Sequence, residues 1–307
     1  MKVLQASCSD STWKQYLNVF NKWQTYRQSC GPQFSLKIET VVEFLFMLYE
    51  EGKGYSCINT ARSALSILLG RFDDYAVGNH PLVTRFMKGI GRLRPPSCKY
   101  SLVWDPSNVL LVIASWGCNE SLNLKNLSKK LAALLALCSA QRVQTLSAIR
   151  RNDIHFVSKD MVQIFIKSRL KTTKPGQAHV MHFSKYHDDK LCLLTCLQHY
   201  LSVTGGVPAT ENLFVSTKLP YKSVSSQTIG NWLRSVLQIA GIDTTVFKSH
   251  SFRHASTSKA LKEGVHIDEI YKSAGWSEKS RVFASFYKRP IVSCNDFMSR
   301  LLSSCKK

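Results

Sequence analysis

Residues 248–290 read KSHSFRHASTSKALKEGVHIDEIYKSAGWSEKSRVFASFYKRP, and the 307-residue chain is best understood outward from them. His250 and Arg253 stand one helical turn apart, so a helix beginning near Ser249 presents both from one face. Trp276 follows Arg253 by 23 residues, and Tyr287 follows Trp276 by 11. Arginine offers a planar, permanently charged fork for two phosphate oxygens. Histidine adds a donor or proton carrier, and tyrosine a hydroxyl able to act as nucleophile. Together they point to phosphoryl transfer through a tyrosine.

Upstream, Arg142 follows Ser139-Ala140-Gln141 and precedes Val143, Leu146 and Ile149 on one helical face, which places it at a helix start. Met161–Ile166 and Ala178–Phe183 are rich in β-branched and aromatic residues, and Pro175-Gly176 between them signals a turn. The expectation is a two-stranded hairpin whose approach to the turn carries Lys167, Arg169, Lys171 and Lys174. Such a tip suits a groove beside phosphates; it is equally readable as a solvated loop. Asp105-Pro106 opens a helix through Ile113, and a helix from Leu122 or Ser128 to Cys138, apolar nearly all round, marks a core. Helices over Lys190–Ser202 and Gln227–Ala240 follow. Val292–Lys307 forms a short last helix with Phe297, Leu301 and Leu302 on one side.

Before residue 94 the pattern is helical throughout. Trp13, Tyr16, Leu17, Phe20, Trp23 and Tyr26 make an amphipathic stripe over Ser11–Arg27, with Ser11 or Thr12 as cap. Further helices cover Thr40–Glu51, Ser56 to Leu68 and Pro81–Arg92, and their polar faces carry Lys22, Arg62 and Arg92 as candidate nucleic-acid contacts. Pro95-Pro96 forbids helix and stiffens an extended crossing. The expected organisation is a helical domain over 1–94, a linker over 95–103 and a second domain over 104–307. The fold class is mainly α with a small β-hairpin or sheet.

Forty-one Lys and Arg against 20 Asp and Glu leave a formal charge of +21, spread over both halves. That surplus favours a polyanionic partner, because each neutralised phosphate releases counterions. The longest apolar stretch, Leu131–Ala140, is far too short to span a bilayer, and the N-terminus lacks an apolar core of signal-peptide length. The ten cysteines contain no CxxC pair, which fits a reduced chain. Cys192, Cys196 and His199 have the spacing of a helix packing face rather than of a metal site.

The order Arg142, Lys171, His250-x-x-Arg253, Trp276 after Gly275, and Tyr287 resembles the tyrosine recombinase family of phage integrases and Cre- and Xer-like enzymes. The wording QRVQTLSAI, HSFRHASTSKA and GWSEKSRVFASFYKRP is most similar to recombinases of eukaryotic DIRS- and Crypton-type mobile elements. The resemblance covers essentially the whole chain. It implies a SAM-like helical core-binding domain followed by an α+β catalytic domain. It implies Tyr287 as nucleophile, Arg142 and Arg253 as stabilisers of the phosphorane, Lys171 as general acid, His250 as general base or acid, and Trp276 against the phosphate. It implies cutting and resealing of DNA through a 3′-phosphotyrosine and a Holliday junction, without metal, cofactor or ATP. Double-stranded DNA is the expected partner and a homotetramer on two sites the expected assembly, with helix 291–307 docking on a neighbour. A nuclear location follows if the chain comes from a eukaryotic element, a cytoplasmic one otherwise. Two departures stand out: Thr145 occupies a position that is usually acidic, and the Trp276–Tyr287 gap is longer than in bacterial members. The alternatives are a type IB topoisomerase and a domesticated DNA-binding protein that has lost catalysis.

Overall fold

The computed structural model describes residues 7–96, 100–168, 179–206, 210–218, 220–277 and 283–291. The chain divides into two compact units, Met1–Lys99 and Tyr100–Lys307. It is mainly helical, with small antiparallel sheets. Among the described residues no helix is long and apolar enough to cross a membrane.

The first unit holds helices α1 (Asp10–Ser29), α2 (Ile38–Glu50), α3 (Tyr55–Leu69) and α4 (Pro81–Leu93). Ser9 caps α1, its hydroxyl accepting from Thr12 N at 3.3 Å. Trp23 is the buried anchor, edge-on to Phe44 at 5.1 Å, within a core of Val41, Leu45, Ile58, Leu65, Val83 and Ile90. The aromatic stripe of α1 is only partly inward: Leu17 is 52% exposed, and Trp13, Tyr16 and Phe20 form a ring cluster of their own. At 20 residues α1 is longer than the 13-residue α2 and the 15-residue α3, and its buried anchor, Trp23, lies in its C-terminal half. A tight hairpin, β1 (Arg71–Phe72) with β2 (Tyr75–Ala76), went unpredicted; it turns through Asp73 and Asp74 in the left-handed region.

The second unit is built on α6 (Leu124–Ser139), whose residues Leu127 and Leu131–Ala136 are buried on every side. Around it lie α5 (Pro106–Ser115), α7 (Val143–Ser147), α8 (Leu193–Val203) and α9 (Ser226–Ile239), with Tyr200, Trp232, Leu233 and Val236 facing the same core. The expected two-stranded hairpin is part of a three-stranded sheet in the order β3 (Ile154–Ser158), β4 (Met161–Ile166), β5 (His179–Ser184). β4 is its centre, with Val162, Ile164 and Ile166 buried in strict alternation. β3 escaped notice because it is an edge strand with Phe156 and Val157 in solvent, so it shows no alternation to read. The linker ends before 103: Tyr100, Val103 and Trp104 are buried, and Trp104 Nε1 donates to Ser251 Oγ at 2.8 Å. Aromatic residues this large leave water when a core is adjacent, whatever the prolines before them impose.

The site lies on two further helices, α10 (Ser251–Lys262) and α11 (Ile267–Ala274), and a π-helical turn, Phe283–Tyr287. The segment after that turn returns to the start of the unit: Val103 N donates to Pro290 O at 2.9 Å and Arg289 Nε to Tyr100 O at 2.9 Å. The hairpin residues Arg169, Lys171 and Lys174 and the last helix with Phe297, Leu301 and Leu302 lie outside the described residues.

Candidate active site

α10 begins where Ser251 N donates to Lys248 O at 2.7 Å, which puts His250 on the rim and Arg253 one turn inside. Arg253 is 1% exposed, although a guanidinium alone in a protein interior costs several kcal/mol. Its Nη1 donates to Ala140 O at 2.7 Å, and its plane lies over the Trp276 ring at 4.2 Å. Among the described residues Nε and Nη2 meet no acceptor at hydrogen-bond geometry, and neither does Trp276 Nε1. Burial first, and then the charge of Arg142, push the Arg253 pKa down to about 10, only partly offset by Tyr287. Two cations in mutual repulsion, with donors left over and a buried indole N–H beside them, have the chemistry that an anion receptor requires.

Arg142 is the half-buried N-cap residue of α7, in extended conformation. The turn before it exists because Ala140 adopts the left-handed conformation, φ 51°, ending α6 abruptly. Thr145, where an acidic residue is usual, is 3% exposed and gives its amide to Arg142 O at 2.8 Å. It therefore braces the turn through the backbone.

Tyr287 lies 7% exposed at the end of the π-helical turn. Its hydroxyl stands 3.2 Å from His250 Nε2, and its ring stacks on His254 at 4.1 Å and 19°. The Arg253 guanidinium is 5.4 Å from the centre of the same ring. Ser258, one turn beyond His254, donates to Tyr287 O at 2.8 Å and accepts from Arg289 N at 3.2 Å, which holds the tyrosine in register. Tyr271 is 8% exposed against Trp276 and Phe283, a packing residue as expected.

The structure thus brings together Arg142, His250, Arg253, Trp276 and Tyr287. Lys171 lies outside the described residues. Lys167 is exposed but paired with Asp153, Nζ to Oδ1 at 2.5 Å. In the first unit Lys22 pairs with Glu51 at 2.9 Å, Arg62 Nη1 donates to Gly78 O at 3.1 Å, and Arg92 is exposed in the last turn of α4. Cys192 and Cys196 are buried in the core, and among the described residues no cluster of His, Cys, Asp or Glu has the arrangement of a metal site. Sequence reasoning missed His254, Ser258 and Ala140. The first two stand at i+4 from His250 and His254, a spacing that signals a shared face; a left-handed alanine leaves no sequence signal.

The sequence profile of the phage integrase family matches residues 117–290. Among solved structures, a lambda integrase dimer bound to a COC′ core site is 18% identical, with a TM-score of 0.60 over 97% of this chain and 95% of that one. XerH site-specific recombinase on palindromic difH substrate, a post-cleavage complex, is 14% identical, with a TM-score of 0.65 over 95% of this chain and 78% of that one. The Tn1549 transposon integrase with circular intermediate DNA is 13% identical, with a TM-score of 0.54 over 89% and 86%. No curated protein matches significantly.

Proposed function

Because the chain belongs to the phage integrase family, we propose that it is a site-specific DNA recombinase in which Tyr287 attacks a phosphodiester while Arg142 and Arg253 hold the non-bridging oxygens. One observation carries this reading: the Tyr287 hydroxyl sits 3.2 Å from His250 Nε2, beside a buried guanidinium with unspent donors. His250 takes the phenolic proton as the Tyr287 oxygen bonds to phosphorus. The P–O bond to the 5′-oxygen breaks, and that oxygen leaves with a proton, the role assigned to Lys171. The 3′-phosphotyrosyl ester keeps the bond energy, so a 5′-hydroxyl from another strand reseals the backbone in the reverse reaction and frees the tyrosine. Charge grows on the two non-bridging oxygens, where preorganised donors in a dry site act most strongly. Trp276 Nε1 is a further donor aimed at the same anion.

The partner in this proposal is duplex DNA, held by the +21 surplus through phosphate contacts. A lambda integrase is described as a dimer on a core site and as a tetramer on a Holliday junction; the corresponding assembly here is a tetramer on two sites. Integration or excision of a mobile element, in the nucleus of a eukaryotic host, completes the proposal.

The test is a nicked duplex whose short cleaved strand diffuses away and traps the intermediate. The expected result is an SDS-resistant adduct with wild type and none with Tyr287→Phe. An adduct that survives Tyr287→Phe, or none at all with wild type over a library of target sites, overturns it. Adduct formation with plasmid relaxation but no exchange between two marked duplexes would assign the chemistry to a topoisomerase.

A further inference from the structure

Residues 139–142 end α6, reverse the chain and deliver Arg142, and hydrogen bonds tie this short turn to itself and to neighbouring elements. Ala140 O accepts from Arg253 Nη1 at 2.7 Å, Ser139 O accepts from Ser273 Oγ at 3.2 Å, and Gln141 N donates to Ser139 Oγ at 3.2 Å. The side chain of Gln141, 5% exposed, does more. Its carboxamide nitrogen lies 2.6 Å from Ser273 O, near the end of α11, and 2.8 Å from His179 Nε2, at the first residue of β5.

A carboxamide nitrogen has two hydrogens, and one goes to each partner. His179 Nε2 must then be an acceptor, so the ring is neutral with its proton on Nδ1. Burial first, and the charge of Arg253 second, lower the His179 pKa in the same direction. On the other side lies Gly275, in the left-handed conformation at φ 65°; a methyl there would meet Gln141 Nε2 and His179 Cε1 at 3.5 Å. Gly275 directly precedes Trp276. One nitrogen atom therefore joins the segment that carries Arg142, the start of β5 and the turn that carries Trp276.

We propose that Gln141 and neutral His179 are positioning residues, which hold Arg142 and Trp276 in register around the scissile phosphate without touching it. The inference rests on the reading of Arg142 as a phosphate ligand. Gln141→Leu keeps the volume and removes both donated bonds; His179→Phe keeps the ring and removes the acceptor; His179→Gln places an acceptor oxygen near the lost nitrogen.

The experiment measures the first-order rate of covalent adduct formation on the trapping duplex at saturating DNA, the DNA concentration for half-saturation, and a thermal melt of each variant. Gln141→Leu and His179→Phe are expected to slow cleavage on the order of 10²-fold, the effect of an ångström-scale misplacement, with half-saturation unchanged. His179→Gln should recover most of the rate. A scissile methylphosphonate, which lacks one charged oxygen, reduces the demand for the arginine, so it should shrink the deficits of Gln141→Leu and Arg142→Ala together. A general loss of folding would not respond to that substitution. Wild-type rates for Gln141→Leu and His179→Phe beside an inactive Arg142→Ala would overturn the inference alone, as would deficits that the methylphosphonate leaves untouched. A wild-type rate for Arg142→Ala would instead remove the site reading beneath it.

Discussion

At Arg253 the protein keeps a guanidinium 1% exposed with two nitrogens that meet no acceptor among the described residues, an arrangement that folding alone does not reward. Replacing it by methionine should raise the melting temperature, by about 2–4 °C for each kcal/mol regained, while abolishing cleavage. Sulfate in the buffer should stabilise the wild type more than Arg253→Met, since an anion that binds only the folded site shifts its unfolding; equal shifts would argue against an anion receptor. His179 gives a pH signature. Its folded pKa lies below the ordinary value of 6.5, so the unfolded chain takes up a proton that the folded one refuses. Stability is then full above about pH 6.5 and falls as the pH drops below it. Among the described residues, the charged and titratable groups around His179 are Arg253 on α10, with His182 of β5 and Glu269 and Lys272 of α11 lining the neighbouring cavity. In His179→Gln, melts between pH 7 and pH 5 should show a shallower decline than in wild type.

At the scale of elements, Tyr287, the proposed nucleophile, depends on how a short π-helical turn is anchored. Ser258 joins α10 to that turn, donating to Tyr287 O and accepting from Arg289 N. Ser258→Ala leaves both groups without that partner in a site 5% exposed, at a cost of about 1–3 kcal/mol. The adduct rate should fall with it, and Ser258→Thr, which keeps the hydroxyl, should fall less. Helices were the most legible elements. The apolar spacing of α4, α5, α6 and α9 located each to within a few residues, because one buried face repeats every turn. The sheet was legible only at β4 and β5, whose inner residues are buried, and β3 was lost because its side chains are mostly in solvent.

For the whole molecule, the +21 charge predicts that the logarithm of the DNA binding constant falls linearly with the logarithm of salt concentration, with a slope of about −0.9 for each phosphate contacted. The two lysine and arginine environments in the first unit separate here. Arg92 is exposed in the last turn of α4, so Arg92→Gln should flatten the slope by about one contact. Lys22 is already neutralised by Glu51 at 2.9 Å, so Lys22→Gln should leave the slope nearly unchanged. Salt titrations of binding by anisotropy check both, and a large change for Lys22→Gln would show that the Glu51 pair opens on DNA.

The sequence by itself determined the mainly helical fold with its small sheet, and it singled out Arg142, His250, Arg253, Trp276 and Tyr287 as candidates. Those features are carried by local periodicity and by side-chain chemistry for which few residue types will serve. Only the tertiary structure decided how they meet. The left-handed Ala140, the stack of His254 on Tyr287, and the Gln141 nitrogen shared by Ser273 and His179 join residues up to 132 positions apart. Ala140, Gln141 and His179, each taken in its own stretch of chain, have ordinary side chains and no pattern, and the i+4 spacing of His254 from His250 says nothing of Tyr287; these contacts arise from what long-range packing sets beside them.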